Sequence, residues 1–276
     1  MTTMKQLLCT LTLAGVLSAS CNKKTVEKSL PDTSYNKTDT TAAREKVSFA
    51  VDSLKIADSA VISPTLTLEY SQNVLLFKGL KKAVLDTLYA DVLFQDGNVL
   101  PNYSKTTVQK AASDLMHSYF VDSRTDYRDF MPERSQKWDQ HSAMKVHGNY
   151  HGLLTVQYTG YGYTGGAHGY AYENYRTADI IQQKNIKLED IVDLEAVPWN
   201  QLLLAHLGSR KGELFEPATL TYTQNFFFDQ DSLTFVYGQY EIAPYASGII
   251  QIALPLSRIS GALKPEFKER MGIPAK

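Results

Sequence analysis

Apolar residues near the start of the main body of the chain fall into a strand-like rhythm. Val47, Phe49 and Val51 alternate with polar neighbours, as do Leu66, Leu68 and Tyr70, which predicts two strand-like pieces within residues 47–70. The period then changes. Leu80, Val84, Leu88 and Val92 recur every fourth residue with Lys81, Lys82, Asp86 and Asp91 between them, the stripe of an amphipathic helix. The turn Gln95-Asp96-Gly97-Asn98 ends it. A second helix is predicted from near Ser104, with Val108, Ala112, Leu115 and Tyr119 as its buried stripe. Residues 121–140, polar and carrying Pro132 and Trp138, read as an irregular connection. Beyond them Leu154, Val156 and Tyr158 alternate along a strand, a glycine-rich turn follows, and residues 170–181 run back as its partner.

The final third repeats the mixture. A short helical piece at 188–193 leads to a helix opened by Pro198, with Trp199, Leu202, Leu203 and His206 facing inward. Strand-like runs at 219–228, 232–239 and 249–256 follow, and a polar C-terminal tail closes the chain. Helices grouped beside a β element, then a β-rich unit with one helix, imply an α+β fold rather than alternating βαβ units. The expectation is one or more antiparallel sheets with two or three helices packed against them, in one or two subdomains. The expected boundaries are 47–145 for an N-terminal α+β unit, 146–262 for the β-rich unit and 263–276 for the tail.

The first 46 residues have no such pattern. Lys5 stands before an apolar stretch at 7–17, and the small residues Ser18-Ala19-Ser20 precede Cys21. An apolar run of about 11 residues is too short for a bilayer span and fits a signal peptide, residues 1–20. The arrangement resembles the lipobox of bacterial lipoproteins, although Leu17 lies four residues before the cysteine and Ser18 takes the usual leucine position. That resemblance implies lipidation of Cys21 and attachment to the cell envelope, with the outer membrane as the expected site. Residues 21–46 are Lys-, Thr-, Ser-, Asp- and Asn-rich and read as a flexible tether. Cys9 would leave with the signal peptide, so Cys21 would remain alone and no internal disulfide could form.

Charge narrows the partners. The chain carries 28 basic and 29 acidic side chains, which gives no electrostatic footprint for nucleic acid. Tyrosine is abundant, 17 against two tryptophans, and clusters at 158, 161, 163, 170, 172 and 175. Such rings serve equally as a stacking surface for sugars or proteins and as cross-strand pairs within a sheet.

The most distinctive run is Tyr161-Gly162-Tyr163-Thr164-Gly165-Gly166-Ala167-His168-Gly169-Tyr170; the second is residues 237–248, with Tyr240-Glu241-Ile242-Ala243-Pro244-Tyr245 at its centre. In this order, about 70 residues apart, they resemble the extracellular C-terminal domain of RsiV-type lysozyme-sensing anti-sigma factors. That domain also occurs, with a companion N-terminal domain, in PdaC-type peptidoglycan deacetylases. The resemblance covers roughly residues 150–262. It implies a non-catalytic binding module for a lysozyme-like protein or peptidoglycan, with Tyr163, His168, Tyr240, Glu241 and Tyr245 as candidate contacts. Neither the transmembrane helix of the sensors nor the metal-binding catalytic domain of the deacetylases is legible in this chain.

Other chemistry is weakly signalled. Gly160-x-Gly162-x-x-Gly165 fits a dinucleotide-binding string, but a strand rather than a helix is expected after it, so a tight turn is the better reading. His147 and His151 lack a third ligand at metal spacing, and Asp229-Gln230-Asp231-Ser232 reads as a hairpin turn. Ser142-x-x-Lys145 lacks its partner motifs. No cofactor, metal or catalytic residue is expected. Glu241, set among apolar neighbours, is expected to be partly buried, held by Tyr237 or by backbone near Pro244, as a structural latch or a functional acid. Two alternatives stay open: a glycan-modifying enzyme using Glu241 and His168 as acid and base, and a passive structural lipoprotein. The enzyme reading requires those two residues to meet in a cleft.

Overall fold

A computed structural model describes residues 49–93, 99–129 and 132–274. The expected signal peptide, Cys21 and tether lie outside the described residues, as do Val47 and the turn residues 95–98. The described residues make up one compact unit.

The fold is α+β, with two sheets, four described helices and roughly two subdomains. Strands β1 (Ala50–Ser63), β2 (Leu66–Lys78), β3 (Gln136–Tyr150), β4 (Leu153–Tyr163), β5 (Tyr170–Asp179) and β6 (Lys184–Ile186) form a sheet in sequence order. All neighbours pair antiparallel except β2 with β3, which are parallel. That exception follows from the connection: helices α1 (Lys82–Leu93) and α2 (Lys105–Asp129) lie between the two strands and return the chain to the starting end. Strands β7 (Phe226–Phe228), β8 (Ser232–Tyr237) and β9 (Ile250–Pro255) form the second sheet, covered by α3 (Trp199–Leu207) and α4 (Pro265–Met271).

Four expectations are corrected. Residues 121–140 are not an irregular connection: α2 continues to Asp129 and β3 starts at Gln136. Polarity misled there because the last turns of α2 face solvent at Asp122, Arg124, Asp126 and Arg128. The tail at 263–276 holds α4, opened by Pro265 and closed by Gly272 in the left-handed region, with Phe267 buried. Of the strand expected at 219–228, only Phe226–Phe228 is extended. The boundary expected at 145/146 falls within β3, so both expected units share the large sheet.

Period-two and period-four stripes build the first core, where Val74 from β2, Leu88 from α1, Val108 from α2, and Met144 and Tyr158 from β3 and β4 are sealed together. A buried hydroxyl needs a partner, and Tyr158 donates to Leu88 O at 2.6 Å. Leu203, Phe228, Phe235, Ile252 and Phe267 build the second core. A small third cluster holds Leu66, Leu68, Tyr70, Tyr119, Phe120 and Trp138.

Candidate functional site

The glycine-rich run is the β4–β5 hairpin, and packing explains its glycines. A Cβ on Gly160 would lie 2.3 Å from the ring of Tyr172, and one on Gly162 would lie 2.4 Å from Asp139 O. Gly165 sits at φ 94° against the indole of Trp138, a conformation that L side chains rarely adopt. Tyr163 ends β4 with its hydroxyl donating to Gly166 O at 3.0 Å and its backbone N–H donating to Asp139 Oδ1. Tyr163 thus fastens the hairpin, and His168 projects from its exposed tip.

The second motif reaches this hairpin through side chains that complete the free edge of β5. Because β6 pairs only with Thr177–Asp179, N–H groups nearer the hairpin need other acceptors. Gln239 Oε1 accepts from Ala171 N at 2.8 Å, and Asn225 Oδ1 accepts from Tyr175 N at 2.8 Å. Asn225 also donates to Glu173 O and Val236 O, which ties β5 to β8. Residue 240 follows directly and lands beside the hairpin tip.

Three rings meet there. His168 and Tyr245 stack with centroids 3.9 Å apart at 23°, and Tyr240 lies 6.2 Å from His168 and 5.8 Å from Tyr245. His168 Nδ1 is 2.8 Å from Gly169 O, a carbonyl that can only accept, so Nδ1 carries a proton. In the neutral imidazole Nε2 then accepts from the Tyr240 hydroxyl, 3.2 Å away. His168 and Tyr240 are exposed, the latter at 57%. Tyr240 holds φ at 64°, in a region costly for a side chain of this size.

The loop carrying two of these rings is fastened on several sides. Phe215 N donates to Ile242 O at 3.0 Å, Ala243 is buried, and Arg210 Nη2 donates to Ser247 O at 2.6 Å while pairing with Glu213. Glu241 is part of the same fastening: its carboxylate accepts from Gly238 N at 2.7 Å, and its own N–H donates to Gly238 O. The expectation that Glu241 is partly buried is corrected. It is exposed, because the neighbouring Ile242 and Ala243 turn inward and leave the acid outside a tight turn. Nor do Tyr237 or the backbone near Pro244 hold it. Burial foremost, with the Glu241 charge adding to it, raises the Tyr237 pKa, and the Tyr237 hydroxyl donates to Thr221 O.

Glu241 lines a small cleft of about 270 Å³ with Phe215, Thr219 and Tyr222; His168 is not in its lining. The two residues therefore have separate partners and surroundings: turn backbone for one, aromatic rings for the other. Of the five candidate contacts, His168, Tyr240 and Tyr245 come together, while Tyr163 and Glu241 shape the two loops. Among the described residues no group of three or more His, Cys, Asp or Glu is placed to hold a metal. His147 packs its ring against Tyr175 and Phe227, His151 occupies a turn at φ 52°, and His206 Nδ1 meets Leu202 O within α3.

A mixed six-stranded sheet, a second three-stranded sheet and an aromatic patch where their loops meet define the class of fold. A model of a family of proteins of unknown function, DUF3298, matches residues 172–257, which include Gln239 and two of the three rings. Two solved structures share the architecture. A DUF3298-family member from Bacteroides fragilis is 22% identical, with 80% of this chain and 97% of that chain covered and a TM-score of 0.65. A DUF3298-family protein from Pseudomonas aeruginosa is 19% identical, with 82% and 98% covered and a TM-score of 0.53. At these identities the likeness is one of fold. None of the curated proteins compared with the chain matches it.

Proposed function

We propose that the folded part of this chain is a non-catalytic binding module, held at the bacterial cell envelope through a lipid on Cys21, and that His168, Tyr240 and Tyr245 form its contact surface. The convergence of two motifs about 70 residues apart into one exposed, three-ring patch carries this reading. Rigid aromatic side chains with a polar edge supply contact area at low entropic cost, which is why they anchor protein interfaces. The pinned loop adds preorganisation, so little ordering remains to oppose binding. A left-handed tyrosine is the kind of strain that persists where surrounding structure over-determines it, often at binding sites.

The resemblance to RsiV-type domains supports a lysozyme-like protein as the partner, with peptidoglycan as the other class. Calorimetry of residues 47–276 with c-type lysozyme, beside a peptidoglycan pull-down, tests the reading. Binding with Kd of about 1 µM or tighter is expected. Retention on peptidoglycan without lysozyme binding would move the patch to a glycan partner. If neither binds, the proposal fails.

A further inference from the structure

A second feature lies away from the ring patch, on the helix-facing side of the large sheet. Cross-strand rows run through β2, β3, β4 and β5. The row Leu68–Trp138 is apolar, as is the pair Met144–Tyr158, and both are sealed in hydrophobic clusters. Between them the same face turns polar. One row reads Tyr70, Gln140, Gly162, Tyr170; the next reads Gln72, Ser142, Gly160, Tyr172. A sheet face that only needed a core would continue apolar here.

Helix α2 changes in step. Its inward stripe runs Val108, Ala112, Leu115 and Tyr119, and beside that stripe Ser118 and the solvent-exposed Asp122 and Asp126 border an opening. The result is a groove of about 390 Å³ between α2 and the sheet, within the usual range of about 300–1,000 Å³ for ligand sites. The missing side chain at Gly160 lets the ring of Tyr172 lie flat over the strand, where it forms part of the floor.

The floor is built rather than incidental. Gln72, 3% exposed, donates to Val92 O at 2.9 Å and accepts from the Tyr70 hydroxyl at 3.3 Å, which fixes both polar groups. Tyr119 also lines the groove; its shielded hydroxyl lies beside Ser123 without a hydrogen bond of good geometry, and a ligand oxygen would supply one after a small ring movement. Burial pushes its pKa up to about 12, so it stays a neutral donor. At the rim Asp122 and Asp126 form no ion pair among the described residues, and Arg128 of the same helix turns instead to Thr125.

We infer that this groove binds a short saccharide bearing a positive charge, an amino sugar. The partly exposed Ser118, Gln140 and Ser142 match a hydroxyl-rich ligand, the partly exposed ring of Tyr172 offers a face for the sugar plane, and the two rim carboxylates select a cation over an anion.

Calorimetry of the full chain with a glucosamine disaccharide, its N-acetylated counterpart and a uronic-acid disaccharide provides the test. The glucosamine disaccharide is expected to bind tightest and the uronate not at all. Asp122→Asn with Asp126→Asn, both on the exposed rim, should weaken the glucosamine ligand about tenfold and leave the acetylated one unchanged. Ser142→Leu fills the floor and should abolish binding of both; Ser118→Leu, from the helix wall, does the same should the first variant fail to fold. Each variant is checked for an unchanged Tm. Absence of binding by every saccharide at millimolar concentration would overturn the inference. So would uronate binding equal to that of glucosamine, or saccharide binding that survives a filled, folded groove.

Discussion

At the scale of single residues, Tyr240 separates a functional from a structural reading of the ring patch. Its backbone is held at φ 64°, where a glycine is unstrained. Tyr240→Gly therefore removes about 1 kcal/mol of strain while removing a ring that is largely outside the core. Stability by urea denaturation is expected to stay level or rise, and affinity for the protein partner to fall at least about tenfold. A patch that merely held the fold together would show the reverse. Gly162→Ala tests the hairpin in the other direction. Its Cβ would press on Asp139 O, a backbone atom with little freedom, and a loss of about 2 kcal/mol is expected. The need for glycine near the tyrosine run was visible in the sequence. The exposure of Glu241 was not, because apolar neighbours in sequence say nothing about which of them a tight turn sends inward.

At the scale of elements, α4 illustrates a part that periodicity missed and a single ion pair secures. The helix has seven residues, too few for an apolar stripe to be legible; Phe267 is buried in the core and Met271 packs against its margin. Arg270 reaches from it to Asp179 at the end of β5, with N···O distances of 2.8 and 2.9 Å, and donates to His151 O. Burial pushes the Asp179 carboxyl upward, but Arg270 and the backbone N–H groups of Gln182 and Ile181 together hold its pKa below the ordinary value. Its contribution to stability is thus present above the unfolded carboxylate pKa of about 3.9. It is lost as pH falls through the lower folded value. Arg270→Ala leaves a buried carboxylate without its partner and should cost about 3 kcal/mol at pH 7. The deficit relative to the wild type should shrink as pH drops below about 4. Guanidinium melts at pH 7 and pH 3 check both statements. In the larger elements, strands at β4, β5 and β8 and helices α1 to α3 were legible from period alone. The extension of α2 and the parallel β2–β3 pair were not, since solvent-facing turns and strand direction leave no apolar signature.

For the whole molecule, the proposed partner surface is the place where loops of the two sheets meet. Neither motif alone makes the ring patch; Gln239 and Asn225, which complete the open edge of β5, bring one to the other. The candidate contacts His168, Tyr240 and Tyr245 could be picked out beforehand because they lie in unusual runs. Gln239 and Asn225 could not, as an amide that completes a strand edge resembles any surface amide until the strands are placed. The account rests on that patch being the partner surface, and the most direct measurement is lysozyme affinity of residues 47–276 with and without Tyr240→Ala and Tyr245→Ala. Binding near micromolar for the parent, weakened at least about a hundredfold in the double variant at unchanged Tm, is the expected result. Equal affinity of parent and variant would place the partner elsewhere and contradict the account.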